Sequence, residues 1–345
     1  MDCVRINCAH DTREVWEAML KNLREAERAL GRIEPVRVLM DLAGPKVRTR
    51  RSPKAEKQRH QNGDRLLLVP EHQLDDARHA EKKKKEPLSV VGCTLHEPLT
   101  QLQVAQHVYI DDGRFAARVV ELRADGAVIE LLHVPSKRNR IRSDKGLNFP
   151  ETDFSVSSLT DKDRLDLAFV ARHADMIGYS FVQTSQDVDA LVAELAAALT
   201  EGQPRPTLVL KIETQRAVQN LPALIVQAAG QMATAVMIAR GDLAIELGFQ
   251  RIAEMQEEIL WLCEAAHVPV IWATQVLEGL AKEGLPTRAE VTDAAMASRA
   301  ECVMLNKGPH IAEAVRLLDE VLTRMEGHQH KKTPQLRALR AWSEH

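Results

Sequence analysis

Short apolar runs alternate with helix-length amphipathic segments along the whole chain. The runs that read as strands are "CVRIN", "VRVLMDL", "DMIGYSF", "TLVLKIE", "AVMIAR", "VPVIWAT" and "CVMLN". Helices are expected between and after them, around 12–30, 160–173, 185–200, 216–229, 250–266, 288–299 and 310–325. Such alternation predicts a parallel α/β architecture. One interval breaks the rhythm. After "VRVLMDL", about a hundred residues pass before the next expected helix, and they hold turn-separated β-like pieces such as "DRLLLV", "HVYIDDG" and "GAVIELL". This interval predicts an inserted small β domain. Its "HAEKKKKEP" stretch reads as a solvated loop rather than a nucleic-acid contact.

With 345 residues the chain can bury one large core or two or three smaller ones. Its 46 basic and 49 acidic residues give no whole-chain reason to expect nucleic acid or an anionic membrane as partner. No transmembrane-length apolar run is present, and "MDCVRINCAHD" lacks the charged-then-apolar order of a signal peptide. A soluble, unexported, cytoplasmic protein is expected. Cys3, Cys8, Cys93, Cys263 and Cys302 are scattered and form no C-x-x-C pair, so they read as reduced core residues.

In a parallel barrel the ligand site lies at the C-terminal strand ends. Those ends carry Arg5 and Asn7, Asp41, Ser180, Lys211 and Glu213, Arg240 and Asp242, Thr274 and Gln275, and Asn306 and Lys307. Any one of them is explained by a cap or a turn; all seven ends together are not. Alternation puts Lys211 and Glu213 on one face of their strand, which by itself means no more than a salt bridge at a strand exit. The carboxylates of Glu213 and Asp242 can also hold a hard divalent cation, with Lys211 over developing negative charge. Together the ends point to a phosphoryl or enolate site.

The segments "VRINCAH", "MDLAGPKVRT", "VYIDDG", "KGLNFPETDFSVSSLTDKDRLDL", "YSFV", "KIET", "IARGDLAIELG", "VPVIWATQVLEGL" and "PTRAEVTDA" follow one another in the order of pyruvate kinase motifs. The chain therefore resembles the pyruvate kinase family along nearly its whole length. The resemblance implies a (β/α)8 TIM-type barrel with an inserted small β-barrel lid, and transfer of the phosphoryl group of phosphoenolpyruvate to ADP. It divides the chain into barrel at 1–49 and 148–327, lid at 50–147 and a tail at 328–345. Glu213 and Asp242 are implied as ligands of Mg²⁺ or Mn²⁺, and Lys211, Thr274 and Arg240 as catalytic. Arg5, Arg48, Ala239, Gly241, Asp242 and Thr274 are implied in substrate binding, and His10, Asp112 and Lys145 in nucleotide binding. A homo-oligomer is compatible with "PTRAE", although Thr287 and Glu290 equally read as a capping box. Neither nucleic acid nor membrane is expected as partner. Arg240, Gly241 and Asp242 spell an adhesion tripeptide, a reading set aside because a buried strand end would not present it.

Departures from the family pattern carry expectations too. Asn7 and Asp41 remain from a monovalent-cation site, but a serine position is Ala9, a companion is Leu42 and a glutamate position is Lys46. This combination resembles the branch that does not require K⁺. At the last strand end "MLNKGPH" replaces "MLSGETA". Family chains carry one more strand and helix before the "R-x-N" segment and a regulatory domain after the barrel. The barrel is thus expected to lack its first βα unit, and no sugar-phosphate effector site is expected. Two other readings share these residues: a Mg²⁺-dependent lyase acting on a 2-oxo acid, and an impaired or non-catalytic relative.

Overall fold

A computed structural model describes residues 1–329 apart from Ser155 and Glu201. The expected tail at 328–345 lies almost wholly outside the described residues. The chain divides into two compact units. One comprises Met1–Gly44, Ser158–Leu243 and the chain from Gln250 onward; the other comprises Pro45–Ser157 and Ala244–Phe249.

The first unit is built on a parallel sheet whose seven strands lie side by side in chain order: Cys3–Asn7, Arg37–Asp41, Met176–Tyr179, Thr207–Ile212, Thr234–Ala239, Val270–Val276 and Cys302–Leu305. Each expected strand is present. Cys3, Leu39, Met176, Val209, Met237, Ile271 and Met304, one from each strand, meet in a single apolar cluster. The sheet must therefore curve until its first and last strands reach the same core. Side chains alternate along a strand, so two residues further on the same face carries Arg5, Asp41, Gly178, Lys211, Ala239 and Ala273. The polar layer above the apolar one is thus made by Arg5, Asp41 and Lys211, on the first, second and fourth strands.

Helices pack around this sheet, and their starts are written locally. Thr160 with Asp163, Thr184 with Asp187 and Thr287 with Glu290 form reciprocal capping boxes before Asp161–His173, Ser185–Ala198 and Arg288–Met296. The helix expected over 216–229 is two helices, Gln215–Gln219 and Leu221–Ala229. Pro222 has no N–H to donate to the preceding turn, so the first helix stops and the second starts at Asn220.

The second unit is a seven-stranded sheet in the order Thr49–Arg50, Ser89–Cys93, Arg65–Pro70, Gly126–His133, Phe115–Arg123, His107–Ile110, Leu147–Asn148. Its pairs are antiparallel except Arg65–Pro70 with Ser89–Cys93. A bridge between Arg48 and Gly146 joins the two ends, leaving a nearly closed barrel around Leu66, Leu68, Val91, Ile110, Phe115, Ile129 and Leu147. The interval is not free of helix, contrary to expectation: Leu74–Lys82 and Glu97–Gln101 are helical. Leu74–Lys82 escaped notice because its buried positions are Ala77 and Glu81, which leave no apolar stripe to read. The supposed loop "HAEKKKKEP" consequently begins inside that helix.

Gly126 has φ +153°, and a Cβ there would lie 2.1 Å from the Leu68 carbonyl oxygen. Gly126→Ala is expected to lower the urea unfolding midpoint markedly, because the obstruction is backbone. Gly63→Ala, also at positive φ but facing open space, should lose only about 1 kcal/mol.

Candidate active site

The fourth strand of the parallel sheet places the Lys211 side chain in the polar layer. Lys211 is 7% exposed, and its ammonium meets three acceptors, Ser180 Oγ at 2.6 Å, Glu213 Oε1 at 3.1 Å and Asp41 Oδ2 at 3.3 Å. Ser180 donates its own hydroxyl proton to the Leu42 carbonyl at 2.7 Å, so toward Lys211 it acts as acceptor. Phe181 turns into the left-handed region, φ 55°, and aims its N–H at Glu213 Oε2, 2.7 Å away. Asp41, fully buried, receives Arg5 Nε at 2.7 Å and Nη2 at 2.6 Å on the same Oδ2. Two cations and two carboxylates thus form one chain of contacts, Arg5, Asp41, Lys211, Glu213, at the C-terminal ends of three different strands.

Burial works against charge on Lys211, but the Asp41 and Glu213 carboxylates outweigh it and hold its pKa above the ordinary lysine value. Burial likewise opposes ionisation of Asp41; the Lys211 and Arg5 charges outweigh it and hold the pKa below the ordinary aspartate value. Both groups are therefore charged at neutral pH. Room for Asp41 is made by its neighbour in the sheet, Gly178, where a Cβ would stand 2.0 Å from Oδ1.

A second constellation forms where the sixth strand loses register between Trp272 and Val276. Thr274 and Gln275 adopt φ 65° and 60°, unusual for residues other than glycine. Arg240, at the start of the helix Arg240–Leu247, grips this turn by donating to the Ala273 and Thr274 carbonyls; its guanidinium pairs with Asp293 and lies 4.8 Å from the Trp272 ring centre. In return Thr274 Oγ1 accepts the Gly241 N–H at 2.8 Å. Asp242 stands half-buried in the first turn of that helix, and Ala239 ends the strand before it.

The other expected residues are distributed as follows. Asn7 Oδ1 accepts the Ala9 N–H at 3.0 Å, and His10 is exposed just beyond the first strand. In the second unit, Asp111, Asp112 and Gly113 all have positive φ and form a tight turn. Lys145 holds Asp111 at 2.9 Å, Lys46 stands 3.9 Å from Asp112, and Arg48 donates to the Asp144 carbonyl at 3.1 Å. At the last strand end, Gly308 packs so tightly that a Cβ would lie 2.0 Å from the Ala281 carbonyl oxygen. Gly178, Phe181 and Asp293 were missed as supports. Only Gly178 left a signal, a glycine inside a buried strand.

A family model described as "Pyruvate kinase, barrel domain" matches residues 1–313. The chain belongs to the pyruvate kinase family. Similar curated proteins include a pyruvate kinase of Debaryomyces hansenii, 30% identical over 325 residues, covering 92% of this chain and 60% of the relative. Pyruvate kinase 2 of Candida glabrata is 32% identical over 335 residues, and the Schizosaccharomyces pombe pyruvate kinase 31% over 329; each alignment covers 93% of this chain and 60% of the relative. The chain spans about 60% of the length of the curated relatives it matches. None of its described helices is long and apolar enough to cross a membrane.

Two outcomes follow from the charge chain that this family member carries. Gly178→Ala should drive the Asp41 carboxylate from its place and destabilise the fold by about 3–5 kcal/mol, the usual result of breaking a buried ion pair, measured by chemical unfolding. Gly241→Ala, whose nearest neighbour would be 3.7 Å away, should leave the unfolding midpoint nearly unchanged. The pH dependence has a definite sign. Because the folded-state pKa of Asp41 is depressed, its contribution is complete above the ordinary aspartate value and is lost as pH falls through the depressed one. Asp41→Asn should therefore lower stability at neutral pH and reduce the difference between neutral and strongly acid pH, followed by circular dichroism.

Proposed function

We propose that the chain transfers the phosphoryl group of phosphoenolpyruvate to ADP, giving pyruvate and ATP. The observation that carries this reading is the Lys211 ammonium, charged, buried and held between Asp41 and Glu213. A cation fixed in a poorly solvated site stabilises negative charge that develops beside it far more than the same cation in water does. Lys211 faces the transferring phosphoryl group and the enolate oxygen in this reading. Arg5, with a quarter of its side chain exposed, binds phosphate while Asp41 orients it. We also take the curved seven-stranded sheet as the greater part of a (β/α)8 barrel.

Glu213 and Asp242 fit a divalent cation such as Mg²⁺ or Mn²⁺. Both are hard oxygen donors, and the Phe181 N–H fixes the Glu213 carboxylate from behind. When bound, the metal supplies neutralisation of phosphate oxygens. Thr274 accepts from Gly241, so its own hydroxyl proton remains to be offered to the enolate through water. Arg240 is better read as a positioning residue than as a catalytic one. Its donors already grip Asp293 and the carbonyls of Ala273 and Thr274, which holds the threonine in its strained turn. In the second unit the turn at Asp111–Gly113 and Lys145 are groups suited to meeting nucleotide phosphates and ribose.

Independence from K⁺ is supported by where the remnants of the monovalent site are engaged. Asp41 Oδ2 is taken by Arg5 and Lys211, and Asn7 Oδ1 by the Ala9 amide. In a coupled assay with phosphoenolpyruvate, ADP and Mg²⁺, turnover is expected, and the rate should be the same in K⁺-free and K⁺-containing buffers of equal ionic strength. A strong rise on adding K⁺ would overturn the cation reading alone. Absence of turnover in both buffers would overturn the activity. Lys211→Met should destabilise the fold, since it takes one cation from the buried Asp41 and Glu213. It should also reduce turnover per folded chain, as counted by circular dichroism, at least a hundredfold or so, since one electrostatic contact to the transition state is typically worth that much. Retention of most of the activity would remove Lys211 from its assigned role.

A further inference from the structure

The near balance of charge over the whole chain conceals a concentration of positive charge on the second unit. Residues 48–60 and 137–145 together contain eleven Lys or Arg against two acidic residues. These two segments are far apart in sequence but lie side by side. Arg48 bridges Gly146; the Thr49 N–H and hydroxyl reach the Lys145 and Arg142 carbonyls at 2.8 and 2.7 Å; and His60 and Asn139 exchange two hydrogen bonds at 2.9 and 3.1 Å.

Both acidic residues of the ribbon are engaged within it. Glu56 accepts the Ser143 N–H at 2.9 Å, and Asp144 is paired with Arg50. Lys54, Lys57, Arg59, Lys137, Arg138, Arg140 and Arg142 are exposed, and none has a carboxylate within 4 Å among the described residues. Beneath them Arg51 is 6% exposed, with no carboxylate within 4 Å among the described residues, and its Nε has no hydrogen bond. Burial lowers its pKa to about 10, so it adds positive potential from below at neutral pH. A face solvated merely for solubility mixes charges of both signs. This one does not.

We propose that this ribbon binds the phosphodiester backbone of a nucleic-acid duplex without regard to sequence. Clustered Lys and Arg on one face are the electrostatic footprint of such binding. An anionic membrane fits less well, because none of the large exposed apolar side chains lies in either segment to insert among lipids. A single strand also fits less well. Such sites stack bases on aromatic rings, and neither segment contains Trp, Tyr or Phe. This inference is independent of the proposed phosphoryl transfer.

The test is a fluorescence anisotropy titration of the full chain with labelled mixed-sequence RNA and DNA duplexes, in separate arms, at several salt concentrations. Binding with Kd of roughly 10⁻⁶–10⁻⁴ M and a steep loss of affinity between about 50 and 200 mM salt is expected. Replacing four cations together, Lys57→Gln, Arg59→Gln, Arg138→Gln and Arg140→Gln, should weaken binding at least about tenfold and flatten the salt slope by three to four or so, about one for each phosphate no longer neutralised. Arg138→Lys with Arg140→Lys should retain binding. Lys83→Gln with Lys85→Gln, outside the ribbon, should not alter it. Circular dichroism of each variant separates impaired binding from impaired folding. The proposal is overturned if neither duplex binds at low salt, if the fourfold variant binds as well as the parent, or if phosphatidylserine vesicles bind and duplexes do not.

Discussion

A lysine ammonium held away from water between two carboxylates governs the first unit of this structure. Removing Lys211 and its partners from solvent carries a desolvation penalty of several kcal/mol per ion, offset only when every charge finds a well-placed counterpart. That demand reaches into the neighbouring strands. Gly178 must lack a side chain, Ser180 must present a lone pair, and Phe181 must accept a left-handed backbone to deliver its N–H. Each of these serves the charge chain from a strand or turn that would otherwise be free to vary. A buried ionic network is weak evidence for stability, since apolar residues of equal volume commonly stabilise a core as well or better. Its presence in the polar layer is therefore better explained by the chemistry proposed for it.

The turn at Thr274 shows the same logic in the backbone. Left-handed φ values in consecutive non-glycine residues cost of order 1–3 kcal/mol each and persist only where surrounding contacts impose them. Arg240 imposes them here. Its guanidinium ties together two carbonyls of the turn, Asp293 and the Trp272 ring, so one side chain joins the helix start after the fifth strand to the end of the sixth. A lysine could not do this, because the contacts need a planar fork and a stacking face.

Much of this was legible in the chain, and the losses have physical causes. The parallel strands were found where expected because buried strands read as continuous apolar runs, and the flanking helices were found from their amphipathic periodicity, three of them opening with capping boxes. Parity along one strand was enough to put Lys211 and Glu213 on one face. What alternation cannot supply is register between strands. That Asp41 rather than another carboxylate meets Lys211, and that Gly178 yields space to it, depends on pairing residues more than a hundred positions apart. The Thr274 turn lay outside sequence reasoning for another reason: neither glycine nor asparagine marks it, so its conformation is imposed entirely by tertiary contacts. Pro222 was readable and was overlooked. The helix Leu74–Lys82 was not, because its buried face is formed by an alanine and a hydrogen-bonded glutamate.

Charge was the property most obscured by averaging. A sum over 345 residues says little about what a partner meets, because ionic strength near physiological limits electrostatic reach to about 8 Å. Within that distance the ribbon at 48–60 and 137–145 is strongly unbalanced, eleven basic residues against two acidic ones, with Glu71 and Asp111 paired to Arg50 and Lys145 at its edges. The same segments include Arg48 and Lys145, whose proposed ligands are also phosphates. The second unit therefore offers one kind of chemistry, cations gathered on neighbouring loops, at more than one scale. A small phosphate ester needs a few converging donors, whereas a polymer of phosphates needs a row of them. Both demands are met by loops tied to one another, through Thr49 to the Lys145 carbonyl and His60 to the Asn139 carbonyl, so that a ligand finds the cations already gathered at little further loss of freedom.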